Sequence, residues 1–251
     1  MPDTLLQAFV KRPGRYALLD KGLEKVGFSD HQKALEIGCA YGDAVFHIAN
    51  RYCCDITGVD RSEELIDYAS SRDDKLFLGS HVEFKQDDAE DLGRLDNSYD
   101  LIVSEAAFSP LNHKEMAVEN YYRVLKPNGR VLINDFAIQY KGYENVQPSL
   151  SFIPCFAGVK TMTDYVKIFE NCRFKSLSVR EDYGEFISLA LFLSRNYGVA
   201  VRDLGSFFAA KCNENCEKNG ADPEISKARE AFFRKARLTY CQLIFEKESD
   251  R

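Results

Sequence analysis

The chain has 251 residues, of which 45% are hydrophobic and 29% charged, and it carries a net charge of −6. That length suits one domain with a sizeable insertion. The acidic balance disfavours a general phosphate-binding surface, so nucleic acid is not an expected partner. Charges interrupt every apolar run well before about 18 residues, so no membrane span is expected. The opening segment MPDTLLQAFVKRPGRY lacks the basic-then-apolar pattern of a secretory leader, and the expected compartment is the cytoplasm.

Taken in chain order, KALEIG (from Lys33) is a short apolar run that predicts a strand, and DAVFHIANRY after it has helical spacing. CDITGVD predicts a second strand. SEELIDYASS follows as an amphipathic helix, with Ser62 as N-cap and Glu63 and Glu64 in the favourable first turn. HVEFKQ and YDLIVSE are strands three and four, KEMAVENYYRVL is a helix, and KPNGRVLINDF is a turn into strand five. TMTDYVKIFENC is a helix capped by Thr161 or Thr163, FKSLSVREDY a sixth strand, and RLTYCQLIFEKE a final strand. Short apolar strands separated by helices predict an α/β fold: a doubly wound, Rossmann-like, seven-stranded sheet with helices on both faces. The segment between the last two strands is helical in spacing. The expected division is therefore a core of 1–183 and 235–251, with a helical insertion at 184–234 that serves as a substrate cap or a homodimer contact.

Eight cysteines form no tight framework. Cys39, Cys53, Cys54, Cys155, Cys172 and Cys241 sit in apolar segments, where a reduced thiol behaves as a small hydrophobe. Cys212 and Cys216 in CNENC look like paired ligands, but no second pair or nearby histidine completes a zinc set, and no metal is expected.

Ligands of open α/β sheets bind at the carboxyl ends of the strands. Those ends carry Glu36, then Gly38-Cys39-Ala40-Tyr41-Gly42-Asp43, then Asp60, Asp87-Asp88, Ser104-Glu105 and Asp135. The edge reads as strongly acidic, with no lysine near the first turn. Asp43 stands where a dinucleotide fingerprint would have its last glycine, and a pyrophosphate would be repelled there. This disfavours an NAD-dependent dehydrogenase and suits a cationic nucleoside that carries no phosphate.

Four pieces, in order and at the expected spacing, resemble the class I S-adenosylmethionine-dependent methyltransferases. They are LEIGCAYGD, GVDRSEELIDYA, VEFKQDDAEDLGRLDNSYDLIVSE and NYYRVLKPNGRVLINDF, spanning Lys33 to Phe136. The pattern is most similar to small-molecule enzymes of the ubiquinone and menaquinone biosynthesis type. The flanks KRPGRYALLDKGLEKVGF and CFAGVKTMTDYVKIFENCRF resemble the bacterial TrsM subgroup.

The resemblance implies S-adenosylmethionine as cofactor, S-adenosylhomocysteine as product and a small-molecule methyl acceptor. It implies a cofactor site formed by Tyr16, Glu36, Gly38, Cys39, Ala40, Gly42, Asp60, Arg61, Asp88, Ala89, Ser104 and Glu105. Gly38 and Gly42 would let the backbone approach the ligand, while Ala40 departs from the usual glycine and requires ordinary dihedrals. Asp60 would accept from both ribose hydroxyls, and Asp88 from the adenine amino group, with Ala89 near the ring. Asp87 is expected to be a solvated turn residue. Glu36 would orient the turn or meet the methionyl ammonium, and Arg61 would stack on adenine or stay solvated. Tyr16 belongs to a segment that closes over the cofactor. Candidates for a general base are Glu105, His113 and Asp135, and Cys155 is expected in the substrate pocket. A non-catalytic cofactor-binding partner or sensor is the alternative reading.

Overall fold

The computed structural model describes residues 15–73, 79–139, 158–197 and 235–249. Within them seven strands form one sheet in the order β3-β2-β1-β4-β5-β7-β6. The elements run α1 Ala17–Lys25, β1 Lys33–Ile37, α2 Asp43–Arg51, β2 Asp55–Asp60, α3 Glu63–Ser70 and β3 His81–Gln86. They continue β4 Tyr99–Glu105, α4 Lys114–Val124, β5 Leu125–Ile138, α5 Met162–Asn171, β6 Phe174–Glu181, α6 Tyr183–Tyr197 and β7 Leu238–Lys247. The strand sequence turns back on itself at β1, which pairs in parallel with β2 on one side and β4 on the other. That switch point is where an open α/β sheet leaves a crevice at its carboxyl edge.

The last strand departs from the parallel pattern. β7 enters between β5 and β6 and is antiparallel to both. Its residues are nearly all buried, as expected for a strand covered on two faces.

One face of the sheet is covered by α1, α2 and α3 through Leu19, Leu23, Val45, Ile48 and Ile66, packed on Ala34, Ile56, Val103 and Leu132. The other is covered by α4 and α5 through Val118, Tyr121, Tyr165 and Phe169, packed on Leu35, Ile102, Ile133 and Leu243. Phe169 stacks on Phe245 at 4.0 Å between centroids, fixing α5 to β7.

The caps follow local chemistry. The Ser62 hydroxyl accepts the Leu65 N–H at 3.4 Å. Of the two threonines before α5, Thr161 is the cap, accepting the Asp164 N–H at 3.2 Å. Asp182 accepts the Glu185 N–H at 3.0 Å at the start of α6; of the segment 184–234, residues 184–197 are described, and all of them belong to this helix. Cys155, Cys212 and Cys216 lie outside the described residues.

Candidate functional site at the carboxyl edge of the sheet

The turn from β1 into α2 is built on left-handed backbone. Gly38 has φ +70°, Ala40 φ +47° and Gly42 φ +77°. The condition of ordinary dihedrals at Ala40 is therefore not met: its methyl is held in a region that costs an L-residue about 1–2 kcal/mol. The glycines also have a packing reason beside the one expected. A Cβ on Gly38 would lie 2.3 Å from the Ala107 Cβ, and one on Gly42 would lie 2.6 Å from Phe84. Their small size first serves protein packing: the loop after β4 and the β3 aromatic close directly on the turn.

Asp60, the last residue of β2, holds this turn in place. Its Oδ2 accepts the Ala40 N–H at 3.0 Å and its Oδ1 accepts the Ser62 N–H at 3.0 Å. A carboxylate has about four lone-pair positions, so each oxygen keeps one for a further donor. Arg61 beside it is exposed, and its carbonyl accepts from Gln86.

Asp43 answers to a different chemistry from that expected. Arg72 donates to its Oδ1 at 2.7 Å and to the Tyr41 carbonyl at 2.7 Å. Arg15 lies 3.7 Å from Oδ2. The first turn is thus less acidic than the sequence suggested. Its two cations come from the segment before α1 and the turn just after α3, distant in sequence and without any motif to mark them. Tyr16 joins the same corner, stacked on His47 at 3.9 Å. Burial, with Asp43 and Glu36 nearby, pushes its phenol up to about 12 despite the opposing Arg15.

Glu36 is 2% exposed and its Oε2 has no hydrogen-bond partner. Burial first, then the neighbouring Glu105 carboxylate, pushes its pKa well up, against Arg15 and the Val45 N–H. A buried carboxylate oxygen without a donor is costly, and a ligand ammonium would repay that cost. Cys39 is buried too, and desolvation raises its thiol pKa far above the ordinary range, so it is an inert wall of the turn.

On the β3 side the expectations for two aspartates part. Asp88 is exposed, with Oδ1 accepting the Glu90 N–H at 2.9 Å, and Ala89 beside it is buried. Asp87 is not a solvated turn residue. Its carboxylate accepts from Arg94 at 2.7 Å, Gly93 at 3.1 Å and Asp88 at 3.0 Å, which makes it the anchor of the loop that presents Asp88.

Of the three candidate bases, only Glu105 stands at the edge beside Glu36. Asp135 is fully buried, and its oxygens accept the Phe108 and Ser109 N–H groups at 2.8 Å each and the Phe136 N–H at 2.6 Å. Desolvation raises it to about 6, with those donors opposing. It pins the loop after β4 and presents no face to a substrate. His113 is exposed at the start of α4, and its backbone N–H is anchored by Glu90 at 2.9 Å. Ser104 is fully buried and its hydroxyl has no partner.

The same loop is held from its other side by Lys114, which the sequence reading passed over. The residue is 2% exposed, and its ammonium donates to the Ser109 carbonyl at 2.7 Å and the Leu111 carbonyl at 2.6 Å. Burial pushes its pKa down to about 8, with Asp135 opposing. An unfolded lysine ionises near 10.4. Between those values the unfolded chain binds the extra proton, so this group's contribution makes the protein more stable as pH rises from about 8 to 10, by up to about 3 kcal/mol. Denaturant titrations across that range should show the rise in wild type and its loss in Lys114→Met. Parallel pH profiles would refute it.

Among the described residues no cluster of three or more histidine, cysteine, aspartate or glutamate side chains could hold a metal ion, and no helix is long and apolar enough to cross a membrane.

Comparison with known proteins gives this edge its context. A Haemophilus influenzae protein of uncharacterised function is 30% identical over 137 residues, 54% of this chain and 55% of that protein. Phosphoethanolamine N-methyltransferase 1 of Arabidopsis thaliana is 32% identical over 114 residues, 45% of this chain and 23% of its own length. Phosphoethanolamine N-methyltransferase 2 of Haemonchus contortus, solved with S-adenosyl-L-methionine, has a TM-score of 0.70 at 19% identity, covering 95% of this chain and 54% of that one. The chain therefore matches about half or less of these relatives' own length. Residues 28–173, more than half of the chain and the whole of the edge from β1 to β5, match the methyltransferase domain, and the chain belongs to that family.

Proposed function

We propose that the chain is an S-adenosylmethionine-dependent methyltransferase acting on a small-molecule acceptor. The observation that carries this reading is the unpartnered, buried Glu36 carboxylate oxygen beside the β1 turn. Asp60 and Asp88 stand at the next two strand ends. In this reading the three carboxylates serve as acceptors for an ammonium, a ribose and an adenine amino group along one edge. When bound, S-adenosylmethionine supplies a methyl group already activated by its sulfonium.

The residues of this chain then bind, orient and exclude water. Asp60 uses its two remaining lone-pair positions for the ribose hydroxyls, and Asp88 receives the adenine amine with Ala89 at the ring. Glu36 meets the methionyl ammonium. The methionyl carboxylate is assigned to the α2 N-terminus with Arg15, whose contact with Asp43 is the longer of the two arginine contacts. Tyr16 shields this corner. Ser104 and Glu105 border the acceptor, and Glu105 is the remaining candidate for a base.

Plant and nematode relatives named for phosphoethanolamine support a small acceptor. The finer placement in the TrsM subgroup rests on the two flanks. The division into a core and a 184–234 insertion, serving as cap or homodimer contact, and the cytoplasmic compartment belong to this same reading.

One observation favours the second reading, a non-catalytic partner or sensor: the Asp135 carboxylate is fully buried and taken up by main-chain amides. Calorimetry with S-adenosylmethionine, S-adenosylhomocysteine and NAD tests the first step. Micromolar binding of the first two and none of NAD is expected. Absence of binding by either sulfur ligand would remove both readings. Formation of S-adenosylhomocysteine during an acceptor screen separates an enzyme from a sensor.

A further inference from the structure

A line of three polar side chains crosses the sheet beneath the site. Glu105 ends β4 and is the register partner of Asn134 on β5, which in turn pairs with Gln242 on β7. Asn134 is fully buried and Gln242 is 2% exposed. The Gln242 amide nitrogen donates to the Leu18 carbonyl of α1 at 2.9 Å and to the Asn134 Oδ1 at 3.0 Å. The Asn134 nitrogen donates to the Glu105 Oε1 at 2.6 Å.

The direction of this chain is forced. A main-chain carbonyl can only accept, so the Gln242 group facing Leu18 must be its NH2. That NH2 has a second hydrogen, aimed at Asn134, which must therefore show its oxygen to Gln242 and its nitrogen to Glu105. A flipped Asn134 would set two donors against each other inside the core, at a cost of about 1–3 kcal/mol for the unmade bond. The Asn134 carbonyl is held as well, by the Ala106 N–H at 2.8 Å and the Tyr240 hydroxyl at 3.1 Å.

We propose that Asn134 and Gln242 are positioning residues that hold Glu105 at the site edge as a hydrogen-bond acceptor. The placing of Glu105 beside a methyl acceptor rests on the function proposed above; the relay does not. A donor fixed on one carboxylate oxygen favours the ionised form. Glu36 of β1 is a charged neighbour of this carboxylate, and Arg15 ahead of α1 and Asp43 of α2 act in turn on Glu36.

The test uses the ligand-free, isotope-labelled full chain. The side-chain amide protons of Asn134 should exchange at least 100-fold more slowly than those of an exposed asparagine. In Asn134→Leu, the Glu105 carboxylate, followed by carbon NMR, should titrate at least one pH unit higher than in wild type. Gln242→Met, which frees the Asn134 amide, should speed that exchange and move Glu105 the same way by less. It serves where Asn134→Leu does not fold. An unshifted Glu105 in a folded variant, or fast exchange in wild type, would overturn the relay. S-adenosylhomocysteine affinity should stay within threefold of wild type in both variants. Failure of wild type to bind that ligand would instead sink the cofactor reading and leave the relay measurement standing.

Discussion

Gly38→Ala is expected to lower stability by about 3 kcal/mol, with a fall in Tm on the order of 10 °C for a chain of this size. Two costs add. The backbone there has φ +70°, which costs an alanine about 1–2 kcal/mol. The new methyl would also lie 2.3 Å from the Ala107 Cβ, where carbon atoms prefer about 3.5–4.0 Å. The loop after β4 cannot simply yield, because Asp135 grips its amides and Lys114 its carbonyls. Any relief must come from the turn itself, so S-adenosylhomocysteine affinity should fall at least tenfold.

Gly79→Ala isolates the backbone term, since Gly79 has φ +73° with nothing within 4 Å of its added Cβ. It should lose only about 1–2 kcal/mol. Ala40→Gly is the mirror image, and relief of its left-handed strain should leave stability unchanged or raise it by up to about 1 kcal/mol. Thermal melts of the three variants settle the matter. Equal losses for Gly38→Ala and Gly79→Ala would show that Ala107 moves aside at no cost.

The second large effect is on binding. Asp60→Ala should weaken S-adenosylmethionine by about 10²–10⁴-fold, because two charge-assisted bonds to the ribose are each worth about 1.5–3 kcal/mol. The same variant also frees the Ala40 and Ser62 N–H groups, so a stability loss of about 1–2 kcal/mol should accompany it. Asp60→Asn keeps one accepting oxygen and should fall between wild type and alanine in affinity. Calorimetry alongside denaturant melts separates the two roles. Wild-type affinity in a folded Asp60→Ala would mean that this carboxylate only braces the turn.

These variants also mark how far the sequence could be read. The order of strands and helices, the Ser62 cap, the position of Asp60 at a strand end and the methyltransferase resemblance are written in local patterns. Apolar periodicity, cap chemistry and strand-end placement act over a few residues, and all of them survive in the fold. What the chain showed only once folded depends on distant segments meeting. Arg15 and Arg72 reach Asp43 from 28 and 29 positions away, so an edge that looked uniformly acidic has a neutralised corner. Ala40 was read from its residue type, while its φ is imposed by the turn that Asp60 closes. Asp135 looked like any strand-end acid until burial and three amides showed it to be a brace. The line from Leu18 through Gln242 and Asn134 to Glu105 depends on β7 entering the sheet antiparallel between β5 and β6, a register that no local pattern encodes. Sequence by itself determined which chemistry gathers at the carboxyl edge. Tertiary packing decided which of those groups are spent on the protein and which remain for a ligand, because buried polar groups take whatever partner the fold brings within reach.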